Sequence, residues 1–189
     1  KNWGLGSSST LISNLAKLSG VDPYILNNKI FKGSGYDIAC ANSISPLVYQ
    51  LNKNRKIIDE VTFKPTFHEK IFFVYLNKKQ SSISEIDNYN NIKASDLIIN
   101  EITNITSRIL QCESIEAYEK LIESHESIIS KLISKPTIKE TLFKDFKGSI
   151  KSLGAWGGDM IMATSHNDPN KYFTEKGYST IFKFEELLV

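Results

Sequence analysis

Cysteine is scarce in this chain of 189 residues: Cys40 and Cys112 are the only two, they lie far apart, and they form no CxxC pair. That spacing supports neither a redox motif nor a disulfide framework, and two free thiols in a reducing compartment are expected. Arginine is scarcer than its chemistry would suggest for a nucleic-acid partner. Only Arg55 and Arg108 occur, the lysines are scattered, and the formal net charge is +2. A dedicated nucleic-acid binder is therefore not expected. No apolar run is long enough to span a bilayer, and no signal-peptide pattern is visible. A cytoplasmic protein without a membrane partner is the expectation. The P-loop pattern GxxxxGK[ST] is absent, as are internal repeats and low-complexity tracts. Nothing in the pattern specifies an oligomeric state. What is present is a globular balance of 41% hydrophobic and 23% charged residues, enough for one domain or two small ones.

The most informative stretch is the first ten residues, Lys1-Asn2-Trp3-Gly4-Leu5-Gly6-Ser7-Ser8-Ser9-Thr10. A Gly-Leu-Gly turn runs into three serines and then a helical pattern. Glycines let the backbone approach an anion, and the amides and dipole of a helix N-terminus favour negative charge. By composition alone the same stretch also reads as a flexible linker. A phosphate loop normally follows a strand and none precedes this one, so the chain is expected to be the later part of a larger domain.

Leu11, Ile12, Leu15 and Leu18 follow at helical spacing, predicting a helix over 8–18 with that face buried, capped by Ser7 to Ser9 and ended by Gly20. Asp22-Pro23 starts a second helix with Leu26 and Ile30 inward. Gly33-Ser34-Gly35-Tyr36-Asp37 is a second glycine-rich turn. Leu47–Leu51, Lys56–Phe63 and Lys70–Leu76 read as strands, the last buried on both faces. Three helices follow. Ile98, Ile102, Ile105 and Ile109 line the first, and Tyr118, Leu121, Ile122, Ile128, Ile129 and Leu132 the second. The third opens on the capping box Thr137-Ile138-Lys139-Glu140, with Ile138, Leu142 and Phe146 apolar. Strands at Ser149–Leu153, Asp159–Thr164 and Thr180–Phe184, with a helix over 168–177 capped by Asp168-Pro169, complete a β-α-β-β-α-β order of ferredoxin-like type with extra helices on one face of an antiparallel sheet. A boundary is expected near Lys64–Glu69.

Singly, the glycine turns are weak signals: each also reads as a linker, a plain turn or a hairpin connection. Their order is more specific. Gly4-Leu5-Gly6-Ser7-Ser8, then Gly33-Ser34-Gly35-Tyr36-Asp37, then Lys151-Ser152-Leu153-Gly154-Ala155-Trp156-Gly157-Gly158-Asp159 resemble, over nearly the whole chain, the motif series of the GHMP kinase superfamily. Within it the Gly-Leu-Gly-Ser-Ser loop, the Gly-Tyr-Asp-Ile-Ala run and the Gly-Gly-Asp ending are similar to phosphomevalonate kinases, with mevalonate kinases as near neighbours. The Gly35–Ala39 run also resembles a bacterial subgroup that carries it as a signature. Trp156 stands where the family usually has glycine, and Thr10 and Leu11 replace small residues.

The resemblance implies an α+β fold: the C-terminal part of a two-domain GHMP kinase. Residues 1–66 would be a partial nucleotide domain, the remnant of a ribosomal S5 domain 2-like unit, and 67–189 a ferredoxin-like domain. It implies ATP and Mg²⁺ as cofactors and a small anionic acceptor, phosphomevalonate before mevalonate, in isoprenoid precursor synthesis. Gly4, Leu5, Gly6, Ser7, Ser8 and Ser9 would bind nucleotide phosphates, with the Ser8 hydroxyl reaching the metal. Asp37 would be the active-site carboxylate: a base for an alcohol acceptor, an orienting group for a phosphate acceptor. By its residues alone Asp37 also reads as a turn aspartate bonding its own backbone. Gly33, Ser34, Gly35, Gly154, Ala155, Trp156, Gly157, Gly158 and Asp159 would form the acceptor and phosphate loops, with Lys151 as a candidate phosphate clamp. The family often has an acidic metal ligand upstream of the aspartate turn, and in that neighbourhood stand Asn27 and Asn28 with no obvious carboxylate. That absence, with Trp156, keeps open a nucleotide-binding regulator without catalysis. His125 reads as a packed core histidine, His68 and His166 as loop residues with no partner pattern, and Gln80-Ser81-Ser82 as a loose match to a substrate loop.

Overall fold

The computed structural model describes residues 6–31, 33–52, 55–78, 92–154, 156 and 159–187. Two compact units divide in sequence between Phe63 and Lys64. Gly4, Leu5, Ala155, Gly157, Gly158 and the Gln80-Ser81-Ser82 stretch lie outside the described residues.

The first unit holds α1 (Ser7–Ser19), α2 (Pro23–Ile30), α3 (Tyr36–Asn42) and an antiparallel hairpin of β1 (Leu47–Asn52) and β2 (Arg55–Glu60), with Leu47 opposite Glu60. Gly20 ends α1 at φ 66, and Asp22 caps α2 by accepting from the amides of Tyr24 and Ile25 at 2.7 and 3.1 Å, both as the sequence predicts. Two expectations fail. The serines do not cap α1: Gly6 is its N-cap, at φ 68, and no side chain caps the helix. Nor is the leucine face buried. Ser9, Ile12, Ser13 and Ala16 face inward, while Leu11, Leu15 and Leu18 stay exposed. Small side chains one turn apart let α1 lie close to its neighbours, and Asn42 of α3 donates to the Ser13 hydroxyl at 3.1 Å. In α2 likewise Asn27 is buried and Ile30 exposed.

The second unit centres on a four-stranded antiparallel sheet of β3 (Ile71–Tyr75), β4 (Ile150–Leu153), β5 (Met160–Thr164) and β6 (Ile181–Lys183), in the order β4-β5-β3-β6. Numbered within the sheet this is the 4-1-3-2 order of a ferredoxin-like unit read from the other edge. Its helices are α4 (Asp96–Leu110), α5 (Ile115–Ile133), α6 (Ile138–Leu142), α7 (Asn170–Glu175) and α8 (Phe184–Leu187). The predicted capping box at Thr137 and Glu140 is present. Helix α7 is shorter than expected and starts after Pro169, with Asp168 accepting from the Asn170 amide at 2.9 Å instead of capping from the N-cap position.

The sheet is covered on both faces, not one. Neighbours along a strand point to opposite faces. Val74, Leu76, Ile150, Ile161 and Ala163 pack on Phe143, Phe146 and Phe173. On the opposite face, Met162 accepts from the Tyr118 hydroxyl of α5 at 3.3 Å, and Thr164 donates to Glu119 of the same helix. A strand as uniformly buried as β5 needs a layer on each side. The expected apolar side of α6 also shifts: Leu142 is exposed, and Phe143, just past the helix end, is fully buried.

Gly148 leads into β4 where the chain touches the end of β5. A Cβ added there would sit 1.7 Å from the Thr164 carbonyl oxygen. That contact adjoins the bonds from the Thr164 amide to Ser149 O (3.0 Å) and from the Ser149 amide to Thr164 Oγ1 (2.9 Å). Gly148→Ala is expected to destabilise this unit by about 2–3 kcal/mol, read as a lowered urea midpoint.

Candidate functional site

In the first unit the three serines occupy the first turn of α1. Their amides have no intrahelical acceptors, and the first backbone bond of the helix runs from Thr10 N to Gly6 O at 2.9 Å. Ser9 turns its hydroxyl back to Gly6 O at 2.8 Å, while Ser7 and Ser8 are exposed. Gly6 takes the left-handed backbone at the N-cap of this turn, a conformation that glycine adopts without steric cost. Such a turn can receive phosphate oxygens on its amides, with the Ser8 hydroxyl beside them.

The second glycine stretch is not a free turn. Gly35, at φ 85, is the N-cap of α3, so Asp37 lies in a helical first turn rather than in a turn that bonds itself. The stretch is pinned from several sides. The Tyr49 hydroxyl donates to Ser34 O, and the Tyr36 amide donates to Ser34 Oγ at 3.3 Å. A Cβ on Gly35 would meet the Tyr24 ring at 2.9 Å, and Lys56 Nζ sits 4.2 Å from the centre of that ring. Partial burial raises the Asp37 carboxyl above its ordinary value. Burial also raises the neighbouring Tyr36 hydroxyl, followed by its hydrogen bond to Cys40. A carboxyl shifted upward beside a helix N-terminus suits a proton acceptor or an orienting group.

In the second unit Lys151 sits on the edge strand β4, but its ammonium is already engaged. Nζ lies 3.3 Å from Glu126 Oε1 and 3.1 Å from His125 Nδ1. Glu126 is 3% exposed, and its other oxygen accepts from the Ser152 amide and hydroxyl at 3.2 and 3.1 Å. The carboxylate thus satisfies an edge-strand amide and a lysine together. Sequence reasoning passed over Glu126, although it sits between Ile122 and Ile129 on the apolar stripe of α5, the signal that marks it as buried. His125 has contacts beyond core packing. Its ring lies parallel to Trp156, 6.3 Å between centres and 5° between planes. Gly154 and Trp156 both have left-handed backbones, at φ 68 and 40.

Burial and then the Lys151 charge push His125 down to about 4. An unfolded chain takes up this proton near pH 6.5, and the folded chain resists it until about pH 4. Stability is therefore lost as pH falls through that window. With allowance for partial solvent access, about 1 kcal/mol should disappear between pH 7 and 5. His125→Gln should flatten that slope in urea titrations at the two pH values.

The remaining histidines have partners distant in sequence: His68 Nε2 is 3.1 Å from Glu185, and His166 Nδ1 is 3.5 Å from Lys70 Nζ. They border an open pocket of about 600 Å³ that contains none of the predicted site residues. Trp156 and Ser152 line a smaller one of about 230 Å³ with Ile133, Pro136 and Thr137. Among the described residues no group of three or more His, Cys, Asp or Glu is placed to hold a metal, and no helix is long and apolar enough to cross a membrane.

No protein-family model and no curated protein matches the sequence. The fold does match solved structures. Streptococcus pneumoniae phosphomevalonate kinase in complex with phosphomevalonate and AMPPNP aligns with 97% of this chain and 70% of its own, at TM-score 0.69 and 19% identity. A Lin0012 protein from Listeria innocua aligns with 98% of this chain and 64% of its own, at TM-score 0.68 and 15% identity. L. major mevalonate kinase in complex with R-mevalonate aligns with 94% of this chain and 64% of its own, at TM-score 0.57 and 13% identity. The chain thus spans 64–70% of the length of these structures. At such identities the likeness is one of fold, and it is the GHMP kinase fold that the motif order resembles.

Proposed function

We propose, from a chain with the fold of GHMP kinases, that it carries phosphate-binding and acceptor-binding parts of an ATP-dependent small-molecule kinase. The observation that carries this reading is a coincidence of two kinds of likeness. Three glycine-rich motifs stand in GHMP order, and nearly the whole chain superposes on two kinases of that type. Residues 1–66 would carry the nucleotide phosphate loop and the Asp37 turn, and 67–189 the third glycine-rich loop. The first-turn amides of Ser7 to Ser9, with Gly4, Leu5 and Gly6, would hold the β- and γ-phosphates. A Mg²⁺ ion carried mostly by the nucleotide's own oxygens would take as its protein ligand the Ser8 hydroxyl, which is exposed in the first turn of α1. Bound there, Mg²⁺ would neutralise charge on the transferring phosphoryl group. Phosphomevalonate is the preferred acceptor and mevalonate the alternative.

The acceptor decides what Asp37 does. An alcohol needs its proton removed, whereas a phosphate acceptor is already an anion at neutral pH and needs orientation. With an alcohol acceptor, Asp37→Asn should lower turnover about 100-fold or more and abolish the acidic limb of the pH–rate profile. With a phosphate acceptor the limb should persist. ATP consumption is the measurement. An Asp37→Ala variant at the parent rate would refute this role, and no turnover with either acceptor would refute the pathway.

A second reading is favoured by specific features: no obvious carboxylate upstream of the Asp37 turn, where Asn27 and Asn28 stand, and a Lys151 charge already paired with Glu126. On that reading the protein binds nucleotide as a regulator. Mg²⁺-dependent ATP binding without turnover on either acceptor would support it.

A further inference from the structure

Trp156 holds a backbone conformation that its residue type disfavours. At φ 40 a residue with a Cβ sits in left-handed space at a cost of roughly 1 kcal/mol or more. Its amide donates a hydrogen bond to Gly154 O at 2.9 Å, but a non-glycine residue persists there only when its surroundings over-determine it. Among the described residues, two side chains face the indole. The His125 ring lies parallel to it, and Lys151 Nζ is 5.5 Å from its centre, within cation–π reach.

Lys151 is itself held by two groups of one helix. Glu126 Oε1 accepts a hydrogen bond from the ammonium at 3.3 Å, and His125 Nδ1 accepts another at 3.1 Å. The second contact requires a neutral imidazole with its proton on Nε2. Glu126 is anchored in turn by the backbone and hydroxyl of Ser152. A continuous chain of contacts therefore runs from the β4 backbone through Glu126 to Lys151 and on to Trp156.

We propose that Glu126 acts through Lys151, and His125 both through Lys151 and by its own ring, to hold Trp156 in its left-handed conformation, with the ammonium committed to Glu126, His125 and the indole rather than to a phosphate. Two of its three N–H groups are engaged, and its charge already faces a buried carboxylate, so an incoming anion would compete with Glu126 at close range. The meaning for catalysis, an acceptor-side motif ordered before substrate arrives, rests on the kinase reading. The positioning itself does not, and its test needs no turnover.

Trp3 and Trp156 are the only tryptophans, so Trp3→Phe in the full chain leaves Trp156 as the sole indole. Acrylamide quenching and the emission maximum then report on Trp156 alone. Lys151→Met should raise the quenching constant about two-fold and shift emission to the red, and Lys151→Arg should restore both, because a guanidinium can also bridge carboxylate and ring. His125→Gln should reproduce part of the Lys151→Met effect. Far-UV circular dichroism monitors folding. If Lys151→Met does not fold, the Glu126→Gln/Lys151→Met double variant replaces it, because it removes both buried charges together. Unchanged quenching in a folded Lys151→Met chain, or no recovery in Lys151→Arg, would overturn the proposal. So would inorganic pyrophosphate that changes Trp156 emission in the parent but not in Lys151→Met, since it would return the ammonium to an anion.

Discussion

Glu126→Ala is expected to cost the second unit about 3 kcal/mol, among the largest single-residue losses in the chain. The carboxylate has two clients that water reaches poorly. Removing it leaves the Lys151 ammonium half-buried without its counter-ion, and strands the Ser152 amide and hydroxyl on a sheet edge. An unpaired buried donor loses its full solvation, which exceeds what the bond itself contributed. Glu126→Gln should cost less, since an amide oxygen can still accept from Ser152. The Glu126→Ala/Lys151→Met double variant should be more stable than the sum of its parts predicts, and a double-mutant cycle in urea measures that coupling. A Glu126→Ala chain within about 0.5 kcal/mol of the parent would mean that water replaces the carboxylate.

Phe143→Ala is expected to cost about 3–5 kcal/mol. The ring is wholly buried and meets Tyr172, Phe173 and Tyr178 at centre distances of 6.4, 5.3 and 5.4 Å. It closes the layer over Val74, Ile161 and Ala163, so truncation opens a cavity against a rigid sheet rather than at a yielding edge. Leu142→Ala, one residue earlier and 42% exposed, should change stability by less than about 1 kcal/mol. The pair is decisive because helical spacing alone assigns the burial to Leu142. Equal losses at the two positions in thermal or urea unfolding would contradict the packing described.

That reversal shows where the sequence is a poor guide. Helical spacing reports which residues share a face, not which face meets a partner. In α1 the leucines form the more apolar stripe, yet Ser9, Ser13 and Ala16 face inward, because their size permits close approach and Ser13 finds Asn42. In α6 the helix ends one residue before Phe143, and the changed backbone direction turns that ring inward. Local chemistry is more legible. Asp22 before Pro23, Gly20 after α1 and the Thr137–Glu140 box satisfy nearby backbone groups, and nearby groups are what a sequence displays. The apolar run of β3 likewise announces burial on both faces. The glycine motifs were visible as motifs, and Gly6 and Gly35 take the left-handed conformations that make glycine useful there. The partners of Lys151 were not visible, since Glu126 lies 25 residues away on another element.

The sequence by itself therefore determined the caps at Gly20, Asp22 and Thr137, the order of strands and helices apart from α3 and α8, and the three glycine motifs whose succession resembles GHMP kinases. Each depends on residues close together in the chain or on their order along it. Tertiary structure decided which helix faces are buried, that the sheet carries a layer on both sides, and that the Lys151 charge is shared with Glu126, His125 and Trp156. These depend on which distant surfaces meet, and on the free energy of leaving a buried charge or amide without a partner once they do.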